Sequence, residues 1–318
     1  MELKTKFVLI VLLSALVVAF ESVAIEGALN IEDLDVFLVS AIPSMVGGLI
    51  LLTIRPTRAV SFAKSLGARG WLWMLALVIL VAAGVLMWFD SVGRIGASKE
   101  ALLGGGSSEV LFVVILSAIF LSERLTRLEA IGGLMIIVGV FLVLTNTDDM
   151  TLSLGFGEVE AMVSSFFLGC SIVVTTAMLR EYDLLPLCGF ELMLSGLMLL
   201  VFGIAFDLIT WPNADGWALL LVLGLFPTVG MVAYNSGLPK IGASLTSVLF
   251  ALNGILTVAA QMMVLFLFPD ADFMPPENLA LAIMGGVVAF VGVYLLNTNP
   301  VAKNVAINES RRSAEGEI

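Results

Sequence analysis

The sequence contains no histidine. That removes Ser–His and Cys–His catalytic pairs, imidazole metal sites, haem ligation by histidine and histidine-based pH switching. Cysteine is nearly absent as well. Cys170 and Cys188 make neither a CxxC pair nor a metal-ligand spacing, and both fall in apolar stretches where a thiol is a small buried side chain. Charged residues are scarce, 13% of the chain against about 25% in an average soluble domain. No glycine-rich phosphate loop, metal-ligand cluster or catalytic triad occurs. No cofactor is therefore expected, and an ATP-driven pump or an intramembrane enzyme is disfavoured. Lysine and arginine are outnumbered, 15 against 26 acids, for a net charge of −11. Nucleic acid is not an expected partner, since it requires clustered basic residues.

What is abundant is hydrophobic side chain, 60% of residues, with a mean hydropathy of +1.10. A water-soluble globule of this size has no interior large enough to hide it, so the expected surroundings are a lipid bilayer. A membrane helix needs about 20 mostly apolar residues. Ten spans meet that need: 7–27, 35–54, 71–90, 95–121, 128–145, 157–178, 184–206, 217–236, 242–268 and 279–297. The first begins like a signal peptide, with Lys4 and Lys6 before an apolar run. No small-x-small cleavage site follows, so it reads as a retained helix. Residues 303–318 are polar and read as a disordered tail.

Placing the N-terminus in the cytoplasm puts all lysines and arginines except Arg94 and Lys99 on the inner side, as the positive-inside rule requires. The outer loops then hold Glu26, Glu32, Asp33, Asp148, Asp149, Asp207, Asp215, Asp270, Asp272 and Glu277. Trp71, Trp73, Trp88, Trp211, Trp217, Tyr234 and Tyr294 fall near span ends, where amphipathic rings favour the headgroup level.

The chain repeats itself. LDVFLVSAIPSMVGGLILL at 34–52 aligns with YDLLPLCGFELMLSGLMLL at 182–200, pairing Asp35 with Asp183 and Gly48 with Gly196. IGAS at 95–98 recurs at 241–244, and GGLMIIVGVFLVLTN at 132–146 recurs as GGVVAFVGVYLLNTN at 285–299. Each half carries five helices, an odd number, so the halves are inverted. The expected fold is an all-α integral membrane protein of ten transmembrane helices. They form two inverted five-helix repeats, residues 1–147 and 148–299, followed by a polar cytoplasmic tail, 300–318, with both termini cytoplasmic. Inverted repeats are the architecture of secondary transporters, whose solute site lies near the midplane between halves.

The IGAS turns, the stretch FLSERLTRLEAIGGLMIIVGVFLVL at 120–144 and ESVAIEGAL at 21–29 carry a resemblance to the drug/metabolite transporter superfamily, in its ten-helix EamA-type branch. The resemblance runs from about residue 7 to 299. It implies that helices 1–4 and 6–9 surround a cavity while 5 and 10 are peripheral. It also implies transport of a small metabolite or drug-like solute. The glycines of helices 5 and 10 (Gly132, Gly133 and Gly139; Gly285, Gly286 and Gly292) read as close helix packing, with a homodimer contact as the alternative.

A carboxylate in hydrocarbon costs about 2.5–3.5 kcal/mol on insertion scales, so it faces a cavity or a partner. Glu109 lies at the middle of helix 4, on one face with Ser98 and Gly105, after three glycines that allow the helix to loosen. Glu21 shares a face of helix 1 with Ser14, and the family resemblance draws attention to a first-helix glutamate as a proton-coupling group. Glu191 lies two turns into helix 7, with pairing to Arg180 as the competing reading. Alignment of the IGAS turns sets Glu100 opposite Thr246 and Ser107 opposite Asn253. Thr246, Asn253, Thr257 and nearby Gln261 make a polar stripe on helix 9, read as a binding wall or as interhelical hydrogen bonding. Glu123 reads as structural. The expectation is a secondary active transporter working by alternating access, proton-coupled through Glu109 or Glu21, with a site between helices 1, 4, 7 and 9. A non-transporting scaffold or sensor is the alternative.

Overall fold

The computed structural model describes residues 2–30, 32–120, 127–145, 154–241, 246, 249–276 and 278–297. Glu123, Arg124, Asp148, Asp149, Glu277, the second Gly-Ala-Ser turn at 242–244 and the tail at 303–318 lie outside the described residues. Every regular element described is helical: α1 (Glu2–Asn30), α2 (Val36–Ile54), α3 (Pro56–Ser65), α4 (Gly67–Ile95), α5 (Ala97–Leu103), a π-helical turn (Gly104–Ser108), α6 (Glu109–Phe120), α7 (Arg127–Leu144), α8 (Phe156–Met178), α9 (Leu184–Ala205), α10 (Ala214–Leu223), α11 (Leu225–Ile241), α12 (Asn253–Leu267) and α13 (Leu279–Asn297).

Six helical stretches are long and apolar enough to cross a bilayer: Thr5–Asn30, Val36–Ile54, Gly67–Ile95, Phe156–Met178, Leu184–Ala205 and Ala214–Ile241. The last is α10 and α11 end to end, broken at Gly224, where one continuous helix was expected. Shorter apolar helices cover Ile131–Leu144, Asn253–Leu267 and Leu279–Leu295. Large apolar side chains face outward along whole flanks, such as Leu72, Leu75 and Ile79 on α4 and Leu134, Val138 and Phe141 on α7. Exposure on that scale suits lipid rather than water. The basic stretch from Arg55 to Arg69, expected as a loop, contains a helix of its own, α3, with proline at its first position.

Helix pairing follows a regular scheme. α1 packs on α11, α2 on α9, α4 on α8, α5 on α12 and α7 on α13. Small residues set these seams, and the contacts come in reciprocal sets. On α2, a Cβ added to Gly48 would lie 2.5 Å from the Met193 amide nitrogen and 2.8 Å from the Gly189 carbonyl oxygen. On α9, a Cβ added to Gly196 would lie 2.6 Å from the Ala41 carbonyl oxygen and 2.9 Å from the Met45 nitrogen. The sequence alignment pairs Gly48 with Gly196, Ala41 with Gly189 and Met45 with Met193. The same holds for α7 and α13. Gly139 meets Gly285 and Ala289, while Gly292 meets Gly132 and Ile136. A third set is formed by Ser14 donating to the Gly230 carbonyl at 2.7 Å and Ser164 donating to the Gly84 carbonyl at 2.8 Å. The glycine faces of α7 and α13 thus meet each other within one chain.

Gly139→Val is expected to lower stability by about 1–3 kcal/mol, because the extra carbons meet backbone, which cannot swing aside. Thermal unfolding of the purified protein in detergent reads the effect, and an unchanged melting temperature would contradict the seam.

Candidate functional site

The π turn is where the chain prepares its site. Gly104, Gly105 and Gly106 resist regular helix because each loses more backbone freedom than alanine would. The turn widens, and the Ser107 hydroxyl donates to the Leu102 carbonyl at 2.6 Å while the Ser108 hydroxyl donates to that of Leu103. The carbonyls of Leu102 and Leu103, next to the loosened turn, are therefore taken by serines. α12 is preceded by its own irregularity, a turn at residues 251–252. The two interruptions meet: a Cβ on Gly105 would stand 3.4 Å from the Asn253 side-chain nitrogen.

Around this point lies a cavity of about 180 Å³. Its walls come from α1, α2, α4, α5, the π turn, α6, α8, α9, α11 and the start of α12, together with Phe250. Among the described residues α7 and α13 contribute no wall. Five of the nine sequence candidates reach it: Glu21, Glu100, Glu109, Glu191 and Asn253. All five are buried. Glu100 accepts a hydrogen bond from the Trp88 indole at 2.8 Å. Among the described residues, Oε2 of Glu191 has no hydrogen-bond partner. Glu191 thus faces the cavity rather than Arg180.

The other four candidates are also buried but do not line the cavity. Ser107 bonds within its own turn. Thr257 donates to the Asn253 carbonyl one turn back at 2.9 Å. Thr246 packs against Gly237. Gln261 belongs to a separate polar knot centred on Glu26.

That knot corrects the placement of Glu26 in an acidic outer loop: the side chain is 0% exposed. Its carboxylate accepts from the Ala97 amide at 2.8 Å, the Gln261 side-chain amide at 2.8 Å and the Met274 amide at 2.6 Å. Gln261 in turn accepts from the Ser98 amide at 3.2 Å and from the Ser98 hydroxyl. α5 begins after Gly96, which has no side chain to cap it. Glu26 and Gln261 supply the missing acceptors from other helices.

Two aromatic anchors are also misplaced by the interface rule. Trp88 and Tyr234 line the cavity rather than marking a headgroup level, and Tyr234 packs edge-on against Phe250 with centroids 4.9 Å apart. Lys99 pairs with Glu158 of α8 at 2.6 Å. Sequence reasoning overlooked a wall on α8, where Ser164, Leu168, Ser171 and Thr175 line the cavity. Their three- and four-residue spacing is that of one helix face, so the signal was present.

The fold and its lipid-suited flanks define a multi-pass integral membrane protein. The chain belongs to the EamA-like transporter family, which matches residues 5–145 and 155–298. An "uncharacterized transporter" of Methanothermobacter thermautotrophicus is 22% identical over 231 residues, 71% of this chain. That match spans 64% of the relative's length. A protein of known crystal structure shares the fold with a TM-score of 0.63 at 19% identity, covering 92% of this chain and 97% of that one.

Proposed function

We propose that this protein is a secondary active transporter that moves a small solute by alternating access. Its ten spans form two inverted halves, residues 1–147 and 148–299, with both termini and the tail from residue 300 in the cytoplasm. The observation that carries the reading is the central cavity. Glu21, Glu100 and Glu109 come to it from the first half, and Glu191 and Asn253 from the second. The reciprocal seams support it too. Two halves that meet through equivalent contacts have two arrangements of similar energy, one open to each side. Glu109 is the proposed proton-coupling group, since it carries a carboxyl into the cavity directly after the π turn.

The test uses purified protein in liposomes with pyranine trapped inside. A panel of labelled amino acids, sugars and nucleosides is first screened by thermal stabilisation. Uptake of whatever binds is then driven by an imposed pH gradient. Wild type is expected to take up solute together with protons. Glu109→Gln is expected to abolish pH-driven uptake while leaving the melting temperature near that of wild type. Undiminished uptake in that variant removes Glu109 from the coupling role.

A further inference from the structure

We infer that the central cavity takes a small organic cation, a solute with an ammonium group and an apolar body. The inference deepens the transporter reading and rests on it for what the site is used for.

The cavity is rich in acceptors and poor in donors. Four carboxylates line it, Glu21, Glu100, Glu109 and Glu191, and no lysine or arginine does so among the described residues. Lys99, next to Glu100 in sequence, is held by Glu158. The serine hydroxyls that reach the cavity are already spent, Ser171 on the Leu168 carbonyl at 2.8 Å. Ser14 donates to the Gly230 carbonyl, Ser44 to Ser40, Ser164 to Gly84 and Ser165 to Ala161, each at 2.7–2.8 Å. The Trp88 indole donates to Glu100, and the Asn235 amide donates to the Cys188 sulfur. An anionic solute would find few free donors here.

Glu191 supplies an independent pointer. It is 3% exposed, it lines the cavity, and among the described residues nothing donates to its Oε2. A buried acceptor without a donor calls for one from a guest. An ammonium brings up to three.

The carboxylates do not sit as a metal site: among the described residues no three acidic or cysteine side chains are grouped to hold one ion. The remaining wall suits an organic body. Trp88 and Phe89 stack edge-on with centroids 4.9 Å apart on one side, and Tyr234 and Phe250 do the same on another. Aromatic faces attract an ammonium as well as its apolar substituent.

The test compares 2-phenylethylamine with 2-phenylethanol and 3-phenylpropanoate, three solutes of similar size that differ in charge. Binding to purified wild-type protein is measured by calorimetry. The amine is expected to bind at least about tenfold more tightly than either other solute, as removing one charge of a buried pair implies. Glu191→Gln is expected to weaken amine binding by about the same factor. The wild-type comparison stands whether or not that variant folds. Equal binding of the alcohol, tighter binding of the carboxylate, or no binding of the amine overturns the inference. Uptake into liposomes separates it from the transporter reading. Amine binding without uptake overturns transport and leaves the cation site standing. Uptake of the alcohol or carboxylate without amine binding does the reverse.

Discussion

Glu26→Ala is expected to destabilise the protein far more than Glu21→Ala, although both remove a buried glutamate from one helix. Glu21 faces a cavity, where water can fill the space it leaves. Glu26 accepts from Ala97, Gln261 and Met274 in a site with no exposed surface. Deleting it strands three donors, and each buried unsatisfied donor costs about 1–3 kcal/mol. The total is therefore on the order of 3–9 kcal/mol, enough to exhaust the stability of many proteins. Glu26→Gln keeps one oxygen but turns an NH2 group towards a donor, so it should fall between the two. Thermal unfolding of the three variants in detergent checks the order. Equal losses for Glu26→Ala and Glu21→Ala would show that the knot contributes nothing special.

Gly96→Ala is the second large effect expected. Gly96 has φ 82° and ψ 152°, a region that residues with a Cβ hardly enter. A Cβ there would also run into the carbonyl oxygen of Met274. Strain costs about 1–3 kcal/mol and overpacking a similar amount, so the sum is about 2–6 kcal/mol. Gly67 is the internal control. It too has positive φ, at 57°, but no described residue lies within 4 Å of its added Cβ. Gly67→Ala should show the backbone penalty alone, about 1–2 kcal/mol. Melting temperatures of the two variants separate strain from collision. If they match, Met274 does not press on Gly96 as described.

Both positions sit in motifs visible in the sequence, ESVAIEGAL and IGAS, yet the contact between them was not. Apolar run length locates helices because hydrocarbon thickness sets a length and the side chains must match it. Carboxylates in the middle of such runs turn inward for the same reason. That is why Glu21, Glu100, Glu109 and Glu191 all reach one cavity. Ser107, Thr257 and Gln261 could not be assigned in this way. A hydroxyl satisfies itself on the carbonyl a turn back, and an amide can reach a neighbouring helix, so neither must face a solute. Trp88 and Tyr234 misled because an indole or phenol near a span end suits an interface and a cavity wall equally well. Only the packing of α4 and α11 decides between them. The wall on α8 was legible as a helix face, but serines in membrane helices point to packing as often as to binding. The reciprocal pairing of Ser14 with Gly230 and Ser164 with Gly84 needed the structure. Helices 1 and 6, and 3 and 8, share too little sequence to be aligned by eye.

The pairing scheme bears on how the chain is made. α1, α2, α4, α5 and α7 find their main neighbours in α11, α9, α8, α12 and α13. A ribosome that has reached residue 145 has delivered helices whose partners do not yet exist. Gly48, Gly84 and Gly139 then lack the neighbours they meet in the finished bundle. The early helices have only their smaller contacts with one another, such as α1 with α4 and α2 with α4, and the bundle can close only when synthesis nears its end. Quality control in the membrane therefore meets this protein half-assembled until its second half is made.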